Sequence, residues 1–304
     1  MLICSLSAAA AAARRGSSWC LWAAGAQLTF PALRQARGQA GDSLTVRSQR
    51  AGVRNIVLNN PRKRNALSLA MLESLRTDIL HEAESHDLRV IVISAEGPVF
   101  CSGHDLKELT SATGGDHHAR VFTVCSEVMS LLQDIPVPVI AKVNGLATAA
   151  GCQLVASCDM AVVSDTSRFA TPGVTVGLFC STPAVALGRA VPRKLALEML
   201  FTGEPISAQD ALWHGLVSRV VPEDRLDEET ARIAGRICAA SRAVVALGKA
   251  TFYKQMAQDR NQAYRTASQV MVDNLAMTDG QEGIEAFFQK RKPVWSHSTG
   301  QRHQ

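Results

Sequence analysis

Val143-Asn144-Gly145-Leu146-Ala147-Thr148-Ala149-Ala150-Gly151-Cys152-Gln153-Leu154 is the stretch on which the reading of this chain turns. It follows a short apolar run, Val137–Val143, with the length and composition of a buried parallel strand. Gly145 turns the chain, and Ala147–Cys158 predicts a helix of small residues. Working outward, Met160–Val163 reads as a further strand and Leu88–Ser94 as an earlier one, with a helix from about His118 to Gln133 between the earlier strand and Val137. Val53–Leu58 is a β-rich run broken by Asn59-Asn60-Pro61, and Ser68 can cap a helix reaching about Glu84, with Leu72, Leu75, Ile79 and Leu80 on one stripe. Strands alternating with helices predict an α/β fold.

From about Ala184 onward the pattern is almost wholly helical. Ser207-Ala208-Gln209-Asp210 resembles a capping box, and helices are predicted near Arg225–Ala239, Arg242–Gln258, Asn261–Met277 and Gln281–Lys290, the last ending in Lys290-Arg291-Lys292. No repeat of fixed period stands out.

Bulk properties exclude several classes. Hydrophobic residues make up 47% and charged residues 19% of 304, the balance of an ordinary globular chain rather than a disordered or fibrous one. A net charge of +5 with 5% aromatics offers neither a strong basic field nor stacking platforms, so nucleic-acid binding is not expected. The most apolar region, Val137–Ser164, contains Lys142, Asn144, Gln153 and Asp159 and reads as core, not as a membrane span. Among the cysteines no pair has C-x-x-C spacing; most read as buried thiols in a reducing compartment, although Cys152 and Cys158 also have the look of a metal or disulfide pair. His117, His118 and His214 do not suggest a metal site.

Residues 1–41 contain no Asp or Glu but carry Arg14, Arg15, Arg34 and Arg37 among Ala, Ser, Leu and Trp. That is the composition of an organellar transit peptide, expected to end near residue 42 and to direct the chain to the mitochondrial matrix. The rival is a secretory signal with Leu6–Ala13 as its apolar core, but no Lys or Arg precedes that core.

Two stretches carry chemistry. In Phe100-Cys101-Ser102-Gly103-His104-Asp105-Leu106-Lys107-Glu108, Ser102-Gly103 lets the backbone turn sharply and aim its N–H groups into a pocket. In Val143–Leu154 a strand leads into a helix whose first N–H groups favour negative charge, as a developing oxyanion requires. Taken singly, each is also readable as an ordinary turn or as tight helix packing.

Together they resemble the crotonase, or enoyl-CoA hydratase/isomerase, superfamily. The resemblance runs from about Thr45 to Val294 and includes Pro61-Arg62-Lys63-Arg64-Asn65-Ala66-Leu67, Ser157-Cys158-Asp159-Met160, Phe201–Ala211, His214-Gly215-Leu216-Val217 and Glu285–Pro293. It implies a spiral of β-β-α turns over about 43–235, a helical C-terminal trimerisation region over 236–304, and a homotrimer or a hexamer made of two trimers. It implies an oxyanion hole of two backbone N–H groups, at His104 and at Ala150, where relatives usually have Gly. It implies coenzyme A contacts near Arg64, Ala66, Asp105, Leu106 and Lys107, with Phe287 and Lys290 sometimes serving a neighbouring subunit. The partner is then an acyl-CoA thioester, with no cofactor beyond the substrate's own coenzyme A.

The hydratases of this superfamily use two glutamates to add water. Here Gln153 stands at the first position and Gly173, after Phe169-Ala170-Thr171-Pro172, at the second; no Glu occurs between Glu127 and Glu198. Glutamine can orient water but takes up no proton near neutral pH. Efficient hydratase action by the two-glutamate route is therefore expected to be absent, and Gly173 also puts in question the isomerase route, which uses the second position. His104 has counterparts in family decarboxylases of malonyl-type thioesters, a chemistry that needs enolate stabilisation rather than a base, with Thr171, Gln153 or His104 orienting the carboxylate. Asp159 is expected to be a structural carboxylate and Asp165 to lie in a surface turn. Three readings stand: an acyl-CoA-handling protein of fatty-acid metabolism without the acid/base pair, a decarboxylase or thioester hydrolase using the oxyanion hole alone, and a non-catalytic binding or assembly protein.

Overall fold

The structure, a computed structural model, describes residues 43–300. The predicted transit segment, with Cys4 and Cys20, lies outside them. The larger sheet takes β1 (Thr45–Arg50), β2 (Val53–Leu58), β3 (Val90–Ala95), β5 (Val139–Val143), β7 (Met160–Ser164) and β10 (Arg219–Val221), in the order β1-β2-β3-β5-β7-β10. Only the β1–β2 pair is antiparallel; the rest run parallel. A smaller sheet takes β4 (Val99–Cys101), β6 (Leu146–Thr148), β8 (Arg168–Ala170) and β9 (Ile206–Ser207), parallel except for β8–β9.

The helices are α1 (Leu69–Leu80), α2 (Gly115–Asp134), α3 (Ala150–Ser157), α4 (Ser181–Ala190), α5 (Arg193–Thr202), α6 (Ala208–Trp213), α7 (Leu226–Cys238), α8 (Arg242–Met256), α9 (Arg260–Ala276) and α10 (Thr278–Phe288). One unit repeats: a long strand of the large sheet, a short strand of the small sheet, then a helix. It occurs as β3-β4-α2, β5-β6-α3 and β7-β8-α4, and stacking these turns makes the β-β-α spiral.

The expected boundaries shift in places. Val53–Leu58 is a strand as read. Ser68 caps α1 by accepting the Met71 N–H, but the helix stops at Leu80 because His81 leaves helical conformation at ψ 120°. The helix predicted over Ala147–Cys158 gives its first residues to β6, since Leu146, Ala147 and Thr148 pair with Arg168, Phe169 and Ala170. The region after Ala184 is helical except for β9 and β10, the latter completing the edge of the large sheet against β7. Ser207 and Asp210 form the capping box.

The core lies between the sheets and the helices, with Ile56, Leu58, Ile91, Ile93, Leu72, Leu75 and Ile79 fully buried. Phe100 on β4 and Phe169 on β8 are also fully buried and anchor the small sheet, each side chain supplying about 1.5–3 kcal/mol of burial free energy. The C-terminal helices are fastened to this core. Lys249 of α8 donates to the carbonyls of Leu132 and Val137 and to Asp159, and Tyr253 donates to the same carboxylate.

Candidate active site

The parallel strands β4, β6 and β8 end side by side at Cys101, Thr148 and Ala170. The segments that leave those carboxyl ends carry His104, Ala150 and Gly173. Ligands of α/β sheets collect at that edge, where strands give way to loops and helix N-termini.

Beyond β4 the chain turns at Gly103, at φ +88°; a Cβ there would lie 2.8 Å from the Ala149 Cβ and 3.4 Å from the Ala150 nitrogen. Glycine is what lets the two turns meet. The Leu67 N–H donates to the Gly103 carbonyl at 2.7 Å, within a parallel bridge between Leu67 and His104. In a trans peptide the N–H points opposite to the C=O, so the His104 N–H faces away from Leu67. At the second turn Ala149 holds φ 50° and ψ −118°. Its N–H goes to the Ala170 carbonyl, and its carbonyl accepts the Gln153 N–H. The Ala150 N–H, opposite that carbonyl, opens α3 and projects outward from the helix N-terminus, where no carbonyl of the helix can receive it.

Polar atoms without partners gather around these turns. Gln153, one helical turn into α3, is 5% exposed and its Oε1 has no hydrogen bond; Thr171, next to Ala170, is fully buried and its Oγ1 has none. Such groups cost about 1–3 kcal/mol each unless a ligand or water meets them. The His104 Nδ1 lies 3.1 Å from the Leu67 carbonyl oxygen. A carbonyl only accepts, so Nδ1 carries the proton and Nε2 is left as an acceptor, buried and unpartnered. Burial lowers the His104 pKa, opposed in part by the Leu67 carbonyl and Glu108, and the ring meets Phe122 edge-on at 5.2 Å. A neutral imidazole of this tautomer has no proton to give from Nε2.

Gly173 is packed. A Cβ there would stand 2.7 Å from the Leu178 carbonyl oxygen and 2.8 Å from the Cys180 sulfur. The loop is tied in this form by the Leu178 N–H donating to the Gly173 carbonyl. The space a side chain at 173 would need is occupied by the chain's own return.

The coenzyme A candidates divide. The Ser102 N–H donates to the Arg64 carbonyl, and Lys63 pairs with Asp105 at 3.3 Å, so Arg64, Ala66, Asp105, Leu106 and Lys107 share one rim beside the first turn. Leu106 is exposed, and Asp105 accepts the Lys107 N–H. Phe287 and Lys290 are placed elsewhere: Phe287 packs on Phe288 and lines a cavity of about 540 Å³ with residues of α8, α10 and Trp295, and Lys290 follows α10. Within one chain the two groups are not brought together.

Asp159 is structural, accepting the Val139 N–H at 2.7 Å besides Lys249 and Tyr253. Cys101, Cys125, Cys152, Cys158, Cys180 and Cys238 are free thiols, all buried except the half-buried Cys238. Among the described residues no group of three or more His, Cys, Asp or Glu is placed to hold a metal, and no helix is long and apolar enough to cross a membrane. Sequence reasoning missed Cys180, which only the fold of the 173–180 loop carries back to Gly173; no spacing motif marks it.

Comparisons with known proteins give the same architecture a family. The chain is 76% identical over 254 residues to mouse enoyl-CoA hydratase domain-containing protein 3, mitochondrial, covering 84% of this chain and 85% of that protein. It is 31% identical over 238 residues to the mitochondrial enoyl-CoA hydratase of Pongo abelii, covering 78% and 81%. The crystal structure of human enoyl-coenzyme A hydratase domain-containing protein 3 superposes with a TM-score of 0.83 at 72% identity, over 83% of this chain and 100% of that one. With the enoyl-CoA hydratase/isomerase profile matching residues 48–298, two adjoining turns on a β-β-α spiral find their explanation: this chain belongs to the enoyl-CoA hydratase/isomerase family.

Proposed function

We propose that this protein binds an acyl-CoA thioester in fatty-acid metabolism and polarises its carbonyl between the N–H groups of His104 and Ala150, without the proton transfers of a hydratase. The observation that carries this reading is the filled space at Gly173, where a side chain would collide with the Leu178 carbonyl and the Cys180 sulfur. Together with Gln153 at the other acid/base position, it removes both carboxylates from the site. A positioned acid or base typically contributes about 10²–10⁴-fold to rate. The grip on the carbonyl depends on backbone alone and is retained.

The ligand's coenzyme A lies along the Arg64–Lys107 rim, with Phe287 and Lys290 of a second subunit completing the site in a homotrimer or hexamer. The 236–304 region supplies the contacts between subunits. No cofactor is used beyond the coenzyme A of the substrate, and neither nucleic acid nor membrane insertion is involved. The acid-free N-terminus and the mitochondrial names of the relatives support the mitochondrial matrix as the compartment. Two measurements on the full chain test the reading: binding of butanoyl-CoA by calorimetry and turnover of crotonyl-CoA. Binding with negligible hydration is expected; hydration at ordinary enzymatic rates overturns it.

One observation favours a second reading, decarboxylation of a malonyl-type thioester. The unpartnered Thr171 hydroxyl, which can donate, stands beside the oxyanion turns, where a carboxylate needs orienting. The His104 imidazole, with its proton turned to Leu67, does not serve that carboxylate. CO₂ release from malonyl-CoA or methylmalonyl-CoA, lost in Thr171→Val and retained in His104→Ala, is the signature of this chemistry.

A further inference from the structure

Cys180 lies directly on the side-chain face of residue 173: its sulfur is 2.8 Å from where a Cβ at that position would stand. Cys180 is the N-cap of α4, where the free N–H groups and the helix dipole offer partial positive charge to an anion. Burial opposes these effects and raises the thiol's pKa, so the resting group is a thiol. The helix that Cys180 opens, α4, packs on α3, the helix that bears Ala150 and Gln153. The buried, unpartnered Gln153 Oε1 and Thr171 Oγ1 stand on the two segments that border this space, α3 and the strand exit leading to Gly173. Two orphaned polar atoms on the segments flanking this thiol call for hydrogen-bonding partners that the chain itself does not supply.

We propose that Cys180 adds to the β-carbon of a 2-enoyl thioester whose carbonyl is held by the His104 and Ala150 N–H groups, so that the protein captures the unsaturated acyl-CoA as a thioether. The inference rests on the acyl-CoA reading above. A sulfur–carbon bond forms at Cβ as the Cα–Cβ π bond opens. The electron pair moves to the thioester oxygen as an enolate, which the two N–H groups stabilise. The thiol proton leaves to water and a proton returns to Cα, so no oxidant, reductant or leaving group is involved. Loss of both carboxylates suits this outcome, because neither remains to direct water to Cβ in competition with the sulfur.

The test is intact-protein and peptide mass spectrometry of the full chain incubated with crotonyl-CoA, with butanoyl-CoA as the saturated control. The expected result is a gain of one whole crotonyl-CoA, mapped to the peptide containing Cys180, absent with butanoyl-CoA and absent in Cys180→Ser. Retained butanoyl-CoA binding shows that the variant is folded. An adduct on another thiol such as Cys238 overturns the proposal, as does a gain of the crotonyl group alone, which signifies acyl transfer to sulfur. No adduct with intact butanoyl-CoA binding overturns the capture step and leaves acyl-CoA binding standing. No adduct and no binding removes both.

Discussion

Lys249 Nζ lies 2.7 Å from the Asp159 Oδ2, which also takes the Val139 N–H, so a single carboxylate joins α8 to the start of β5 and the approach to β7. Both side chains are largely buried, at 6% and 14% exposure. Burial lowers the Lys249 pKa and Asp159 opposes that shift. The ammonium's other hydrogen bonds go to the Leu132 and Val137 carbonyls, leaving it fully paired.

Removing one partner of such a pair strands the other. Lys249→Met is expected to destabilise the protein by about 3–5 kcal/mol, and Asp159→Asn by a similar amount. The double variant should lose less than the sum of the two. Urea unfolding of the four proteins measures this; additive losses would sink the idea that the two act as a pair.

Ala149 holds a backbone conformation that suits glycine, at φ 50° and ψ −118°. A non-glycine residue held so costs about 1–3 kcal/mol, reduced for glycine by its greater freedom when unfolded. Ala149→Gly should therefore raise stability by about 1 kcal/mol, while Ala149→Val lowers it. Thermal denaturation gives the sign directly.

Restoring carboxylates should not restore hydration. Gly173→Glu places a Cβ 2.7 Å from the Leu178 carbonyl oxygen, which belongs to backbone and cannot swing aside. A loss of about 1–3 kcal/mol is expected from overpacking. The Gln153→Glu/Gly173→Glu double variant should remain without crotonyl-CoA hydration, and ordinary turnover in that assay would show that the loop re-forms to admit the side chain.

Acid should weaken the fold through His104. Burial lowers its pKa below the ordinary 6.5, so between the two values the unfolded chain binds more protons than the folded one. The stabilising contribution is complete above pH 6.5 and is lost as pH falls through that window, with a slope of up to about 1.4 kcal/mol per pH unit for one proton. His297, also lowered by burial, adds a slope of the same sign. The contrast with His104→Leu isolates the first: the variant's stability should fall less steeply between neutral pH and about pH 5. Equal slopes would count against a buried neutral imidazole.

What the sequence disclosed and what it hid follow from strand length and from where contacts come. The run preceding Asn144 is apolar and buried on both faces, which leaves a clear signature, and Val53–Leu58 shows the period-two alternation of a strand with one fully buried face. Strands β4, β6 and β8 are three residues each, set among Gly, Ala, Ser and Thr, and owe their extended form to one another rather than to propensity. Arg219–Val221 is likewise a strand only because β7 offers an edge. Gln153 and Gly173 were visible because they sit at fixed steps from turns whose chemistry is backbone chemistry. Their meaning was only half visible: the absence of a carboxylate at 173 is plain from the letters, but the sulfur in its place comes from the fold of the 173–180 loop.

The bridge between Leu67 and His104 has a consequence for how such a site drifts. It fixes the peptide joining Gly103 to His104 by hydrogen bonds that no side chain makes, so the donor aimed at the ligand survives almost any letter at position 104. Proline alone deletes it. A lineage can thus exchange the imidazole for something else, and change what the pocket accepts, without loosening its hold on a carbonyl. The grip is inherited through the shape of the chain, and the chemistry performed on what is gripped is free to vary.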